Sequence, residues 1–185
     1  MERAGKNQKS NQVRKTDQTL TLLCDTRQQA GKHRNIEAYC KRTGILMVNQ
    51  CLQIGDYMLT PDSHPLGGKI SVDTKENILE LATNVMSMDH RRFRAECIRA
   101  QEQKIQLVIL VEELPPYGRL DMWEVPRWKS SNKWHRFGDP MTMVDPSALR
   151  KACITMQEKY GVKFRFCTRL QSPKRVIQYL KGELK

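Results

Sequence analysis

The chain has 185 residues, 39% of them hydrophobic and 28% charged, a length and composition that suit one globular domain with a single core. No apolar run approaches the roughly 18 residues of a membrane span, and the polar N-terminus lacks a secretory core, so an intracellular protein with no membrane partner is expected. Its 32 Lys plus Arg against 20 Asp plus Glu leave a net charge of +12, which points to a polyanionic partner, nucleic acid foremost, or else to a merely solubilising surface.

Residues 1–17 carry five basic and two acidic side chains with almost nothing to bury, and read as a disordered basic tail. Residues 18–185 are expected to form the domain. The apolar run at 20–24 predicts a buried strand ending at Asp25. At 35–42, Ile36, Tyr39 and Cys40 fall at helical spacing, and Gly44 stops that helix. Strand formers dominate 45–59 and enclose Asp56, and the turn formers of TPDSHPLGG at 60–68 predict a hairpin connection into the next strand. That strand, KISVDTK at 69–75, alternates, with Ile70 and Val72 on one face and Ser71, Asp73 and Lys75 on the other.

A short helix at 77–86 and a longer one at 89–103, N-capped by Asp89, lead to an aliphatic strand at 105–111 that suits a sheet covered on both faces. Residues 114–140 show little periodicity and read as a basic loop that holds all three tryptophans. Asp145 and Pro146 open a helix whose buried stripe is Leu149, Ala152, Cys153, Met156 and Tyr160. Val162, Phe164 and Phe166 alternate as a strand, and Ser172 and Pro173 begin a last helix with Val176, Ile177 and Leu180 inward. The six cysteines make no C-x-x-C pair, so neither a zinc site nor a disulfide framework is expected. Strands alternating with helices predict an α/β domain with a mixed sheet.

An unpaired carboxylate within an apolar strand is costly, so Asp56 and Asp73 need a reason to be there. Residues two apart on a strand share a face, which brings Asp73 and Lys75 together. If the strand with Asp56 pairs alongside, two carboxylates and an ammonium meet. Carboxylate oxygens are hard ligands that suit Mg2+, with Mn2+ able to substitute, and Asp25 offers a third carboxylate. Such an ion binds a phosphodiester and helps ionise a water, which Lys75 would orient. The competing reading is an exposed Asp73–Lys75 pair on a solvated face. His90, Arg91, Arg92, Arg94 and Arg99 crowd one helix, either to hold phosphates or as a solvated face. Trp123, Trp128 and Trp134 lie among Arg127, Lys129, Lys133, His135 and Arg136, an interleaving that suits unpaired bases stacked on rings, or a loop packed onto the domain.

Taken in order, Asp25-Thr26-Arg27, Gly55-Asp56-Tyr57 and Val72-Asp73-Thr74-Lys75 resemble the XPF family of structure-specific endonucleases, within the PD-(D/E)XK superfamily. Arg92-Phe93-Arg94-Ala95-Glu96 and the aliphatic run ending at Glu112 take the places of that family's R-[FL]-x-x-Q stretch and following strand. The resemblance covers about residues 20–113 and, more weakly, 145–180. Its departures are Gln28 for a glutamate, Asp73-Thr74-Lys75 for E-R-K, Leu79 with Glu80 one place late for an aspartate, and Glu96 for a glutamine.

The resemblance implies an α/β restriction-endonuclease-like fold, a mixed central sheet flanked by helices. It also implies a Mg2+-dependent endonuclease acting on branched DNA of junction or flap type, in repair or recombination. Asp25, Asp56 and Asp73 would hold metal, Lys75 would serve the attacking water, and Glu96 would be an accessory acid. Arg27, Arg91, Arg92, Arg94, Trp128, Lys129 and Trp134 are the candidate DNA contacts. With no helix-hairpin-helix module following, a small stand-alone form is expected, cytoplasmic if bacterial or phage-encoded and nuclear if eukaryotic, and paired as a homodimer. The alternatives are a catalytically silent DNA-binding module with the same fold, or a restriction-type nuclease that cuts plain duplex.

Overall fold

The computed structural model of the protein describes residues 19–28, 31–32, 34–86, 90–114, 134–136 and 139–183, with backbone alone at 134–136, 139–144 and 146. In chain order these form β1 (Thr21–Asp25), α1 (Arg34–Thr43), β2 (Leu46–Gln50), β3 (Tyr57–Leu59), β4 (Ile70–Lys75), α2 (Ile78–Met86) and α3 (His90–Glu102). Then follow β5 (Gln106–Val111), β6 (Trp134–Arg136), β7 (Asp139–Val144), α4 (Pro146–Tyr160), β8 (Lys163–Phe166) and α5 (Ser172–Leu180).

Six strands make one sheet in the order β2-β1-β3-β4-β5-β8. Strand β3 is antiparallel to both neighbours, and the other pairings of that sheet are parallel, so the sheet is mixed as expected. The alternation of β5 explains its two-sided burial. Leu107, Ile109 and Val111 pack into the layer of α2, α3 and α4, while Val108 and Leu110 pack into that of α1 and α5. Each such buried aliphatic contributes about 1.5–3 kcal/mol, which makes the middle of the sheet a rigid platform. Helix α4 starts as expected, with Asp145 accepting the Ser147 N–H, and ends at Gly161 in the left-handed conformation. No helix among the described residues is long and apolar enough to cross a membrane.

Two expectations are corrected. Residues 45–59 do not form one strand: β2 lies parallel to β1 on one side, and β3 antiparallel on the other. The chain between them passes across the end of β1, where the Asp25 carboxylate accepts the Leu52 N–H at 3.0 Å. Asp56 thus sits in this crossing, one residue before β3. The segment 114–140 is also not all loop, since β6 and β7 pair as an antiparallel ribbon with a register shift between Trp134 and Arg136. Trp134 opens β6, whereas Trp123, Trp128 and Lys129, the expected 1–17 tail and the expected cap Asp89 lie outside the described residues.

Candidate active site

Strand β4 lies between β3 and β5 with all six residues buried. Its two-residue period sends Ile70 and Val72 into the α1/α5 layer and leaves Asp73 and Lys75 on the opposite face. There Lys75 Nζ stands 3.0 Å from Asp73 Oδ1 and 2.7 Å from Oδ2. Asp73 is 4% exposed and Lys75 8%, which rules out a solvated surface pair.

Burial is the main force on Asp73 and pushes its carboxyl up to about 7. Lys75 partly offsets it, while the carboxylates of Asp56 and Glu96 push the same way. For Lys75, burial works against the ammonium, but the Asp73 carboxylate outweighs it and holds that group above its ordinary value. Asp73 therefore takes up a proton more readily than an ordinary aspartate, yet its contact with Lys75 keeps the pair ionised above neutral pH.

Asp56 is fixed by its own backbone before its side chain acts. Its N–H donates to the Val72 carbonyl at 2.8 Å, and its carbonyl accepts the Asp25 N–H at 2.9 Å. Gly55 makes that approach possible: it has φ +68°, and a Cβ there would meet Ser71 Oγ at 2.2 Å and the Val72 carbonyl oxygen at 3.0 Å. The Gly55 N–H also donates to Glu96 Oε1 at 2.7 Å, which ties α3 to this corner. The Asp56 carboxylate accepts the Thr74 N–H at 2.9 Å and the Thr74 hydroxyl on Oδ2, and the Gln28 amide on Oδ1. Lys32 Nζ lies 3.1 Å from the same Oδ2. The Asp25 carboxylate accepts from Arg27 Nε at 3.1 Å and from the Leu52 N–H, and Arg27 bonds the Leu52 carbonyl in turn.

Asp25, Asp56, Asp73, Lys75 and Glu96 line one cleft of about 350 Å³, together with Arg27 and Arg92. Sequence reasoning missed Lys32 and Asn84 on its wall and weighed Gln28 and Glu80 only as departures from a family pattern. Arg94 is not in this cleft. It donates to the Tyr160 hydroxyl at 2.8 Å and, with His90, Lys151 and Lys159, lines a separate hollow of about 420 Å³ with no carboxylate among the described residues of its wall. Arg91 is exposed on α3 and lines neither space.

Among the described residues no three His, Cys, Asp or Glu side chains are grouped closely enough to hold a metal ion between them. The expected triad therefore shares a cleft without forming a ready-made ligand set, because Asp25 and Asp56 are turned toward donors of the chain itself. The donor chemistry nonetheless fits a hard cation. Asp73 Oδ2 is buried and accepts no hydrogen bond among the described residues, Lys75 being close but off the hydrogen-bonding direction. Two more carboxylates press on Asp73, a repulsion that positive charge in the cleft would relieve.

A family model described as "ERCC4 domain" matches residues 24–180. No curated protein matches the chain. Among solved structures, XPF from Aeropyrum pernix superposes with a TM-score of 0.56 at 16% identity, over 89% of this chain and 65% of that one. XPF from Aeropyrum pernix in complex with DNA gives 0.56 at 18% identity, over 89% of this chain and 64% of that one. The chain thus spans just under two thirds of the length of either structure. The α/β restriction-endonuclease-like architecture expected from the sequence is the one adopted.

Proposed function

The chain belongs to the ERCC4-domain family, and from that premise we propose that it is a metal-dependent endonuclease hydrolysing phosphodiester bonds in branched DNA of junction or flap type. The observation that carries this reading is the buried Asp73–Lys75 pair opening onto an acidic cleft. Asp73, Asp56 and the Thr74 carbonyl would hold Mg2+, with Mn2+ as a substitute, and Asp25 braces the segment that delivers Asp56. When bound, such an ion stabilises charge on the transferring phosphoryl group and lowers the pKa of water. Lys75 donates toward the attacking water and offsets negative charge that grows on the phosphate oxygens. Glu96 keeps the Gly55-Asp56 corner in place from α3. Arg27 and Arg92, at the cleft, contact phosphates flanking the scissile one, and the ribbon that begins at Trp134 and the segment with Trp128 and Lys129 meet unpaired bases. Arg91, exposed on the same helix, adds a further phosphate contact. A homodimer acting inside the cell in DNA repair or recombination is part of the same proposal.

The spent oxygens of Asp56 favour one other reading, a DNA-binding module that keeps the fold and cuts nothing. Labelled junction, flap and plain duplex, each given Mg2+ or Mn2+, separate the possibilities. The endonuclease reading expects cuts near the branch point. Binding without cutting on all three supports the silent module, and discrete cuts in plain duplex support a restriction-type enzyme.

A further inference from the structure

Lys32 belongs to the short connection between β1 and α1 and is part of no motif. Its side chain is nevertheless only 27% exposed, because it reaches inward. Nζ stands 3.1 Å from Asp56 Oδ2 and 3.1 Å from the Thr74 carbonyl oxygen. These are the carboxylate and the backbone carbonyl that a hard cation in this cleft would use. Two ammonium groups therefore divide the two central carboxylates, Lys75 on Asp73 and Lys32 on Asp56.

The two lysines differ in what holds them. Lys75 is the last residue of a strand buried along its whole length, on the face that packs against the α2/α3 layer. Lys32 comes from a connection, and its four-carbon stem can swing Nζ back into solvent at the cost of one partly screened ion pair and one hydrogen bond. In the same cleft, Asp73 Oδ2 is buried and accepts no hydrogen bond among the described residues, with the Lys75 ammonium 2.7 Å away. The cleft thus presents one seat filled by a removable positive charge, beside a carboxylate held by a fixed one.

We propose that Lys32 is a tethered cation that fills the Asp56–Thr74 seat and must leave before a divalent ion binds, so that it sets the metal affinity of the cleft. This rests on reading the cleft as a metal site. Like charges cannot share Asp56 Oδ2 and the Thr74 oxygen, so ion entry and Lys32 release are one exchange.

Mn2+ binding to the DNA-free protein, followed by the electron paramagnetic resonance signal of the free ion, tests this. The set is the parent chain with Lys32→Met, Lys32→Gln, Lys32→Arg and Asp73→Ala, each checked for fold by circular dichroism. Lys32→Met and Lys32→Gln are expected to bind Mn2+ on the order of tenfold more tightly, the effect of removing one competing ion pair of this kind. Lys32→Arg should stay near the parent. If the parent binds, Asp73→Ala does not, and the neutral Lys32 variants match or fall below the parent, the Lys32 proposal is overturned while the metal site stands. If neither the parent nor any Lys32 variant binds Mn2+, both fail together.

Discussion

Removing the Lys75 ammonium, as in Lys75→Met, strips the counter-ion from a carboxylate that is only 4% exposed. Breaking a buried pair in this way costs about 3–5 kcal/mol, whereas an exposed pair is worth about 0–1 kcal/mol, so the size of the loss reports the burial. The loss should also depend on pH. In the parent, burial lifts the Asp73 carboxyl to about 7 from an ordinary value of 3.8, even with Lys75 drawing it down. Deleting Lys75 removes that downward pull, so the carboxyl rises further.

Between the unfolded and folded pKa values the folded chain then holds a proton that the unfolded chain has lost. Stability of the variant is therefore fully present below about pH 4 and falls as the pH climbs through the folded value. Urea melts of parent, Lys75→Met, Asp73→Asn and the double variant, at pH 5 and pH 8, measure this. The expected loss for Lys75→Met is about 3–5 kcal/mol at pH 8 and clearly smaller at pH 5, with Asp73→Asn restoring much of it in the double variant. Equal losses at the two pH values, or no recovery in the double variant, would refute the reasoning.

Gly55→Ala should destabilise the fold by about 2 kcal/mol or more, since it strains a left-handed residue and drives a Cβ into Ser71 and the Val72 carbonyl; thermal melts by circular dichroism check it. Its metal affinity should fall as well, because Asp56 follows directly. Burial pushes the thiols of Cys24, Cys97 and Cys167 up to about 12 and that of Cys40 to about 11, while Cys51 is exposed. Iodoacetamide at pH 8 should accordingly add to Cys51 quickly and to those four only on unfolding, read by peptide mass spectrometry. Arg92→Ala should weaken binding to branched and plain duplex DNA alike and flatten the slope of log K against log salt by about 0.9; an unchanged slope would take Arg92 off the phosphate backbone.

The sequence-visible part of the site is the part governed by short periods. Alternation placed Asp73 and Lys75 on one face of β4, the apolar run at 20–24 placed Asp25 at the end of β1, and both positions hold in the structure. The helical turn at Asn77, whose side chain accepts the Glu80 N–H, and the cap at Asp145 are local in the same way. What was not legible depends on partners far along the chain. The split of 45–59 into β2 and β3 follows from an Asp25 carboxylate that captures Leu52, twenty-seven residues on.

Lys32 reaches Thr74 across forty-two residues, and no local pattern announces such a contact. Gln28 was visible as a departure, but only the structure shows it donating to Asp56 where a glutamate would repel. Arg94 shares its helix with Arg92, yet two residues are about 200° of helical turn, which carries it away from the cleft to Tyr160. The three-residue strand β6, Trp-His-Arg, is too short and too polar to show a period, so its ribbon with β7 stayed hidden.

The central claim is that the cleft around Asp73 and Lys75 cuts DNA, and it is tested most directly by one paired measurement on the Asp73→Ala variant. Cleavage and equilibrium binding of the same labelled flap DNA are followed for parent and variant, in Mg2+ and again in Mn2+, with folding checked by circular dichroism. The expected result is parent cleavage near the branch and a variant that binds the flap with similar Kd but leaves it intact in either metal. A folded Asp73→Ala protein that cuts the flap as fast as the parent would contradict it.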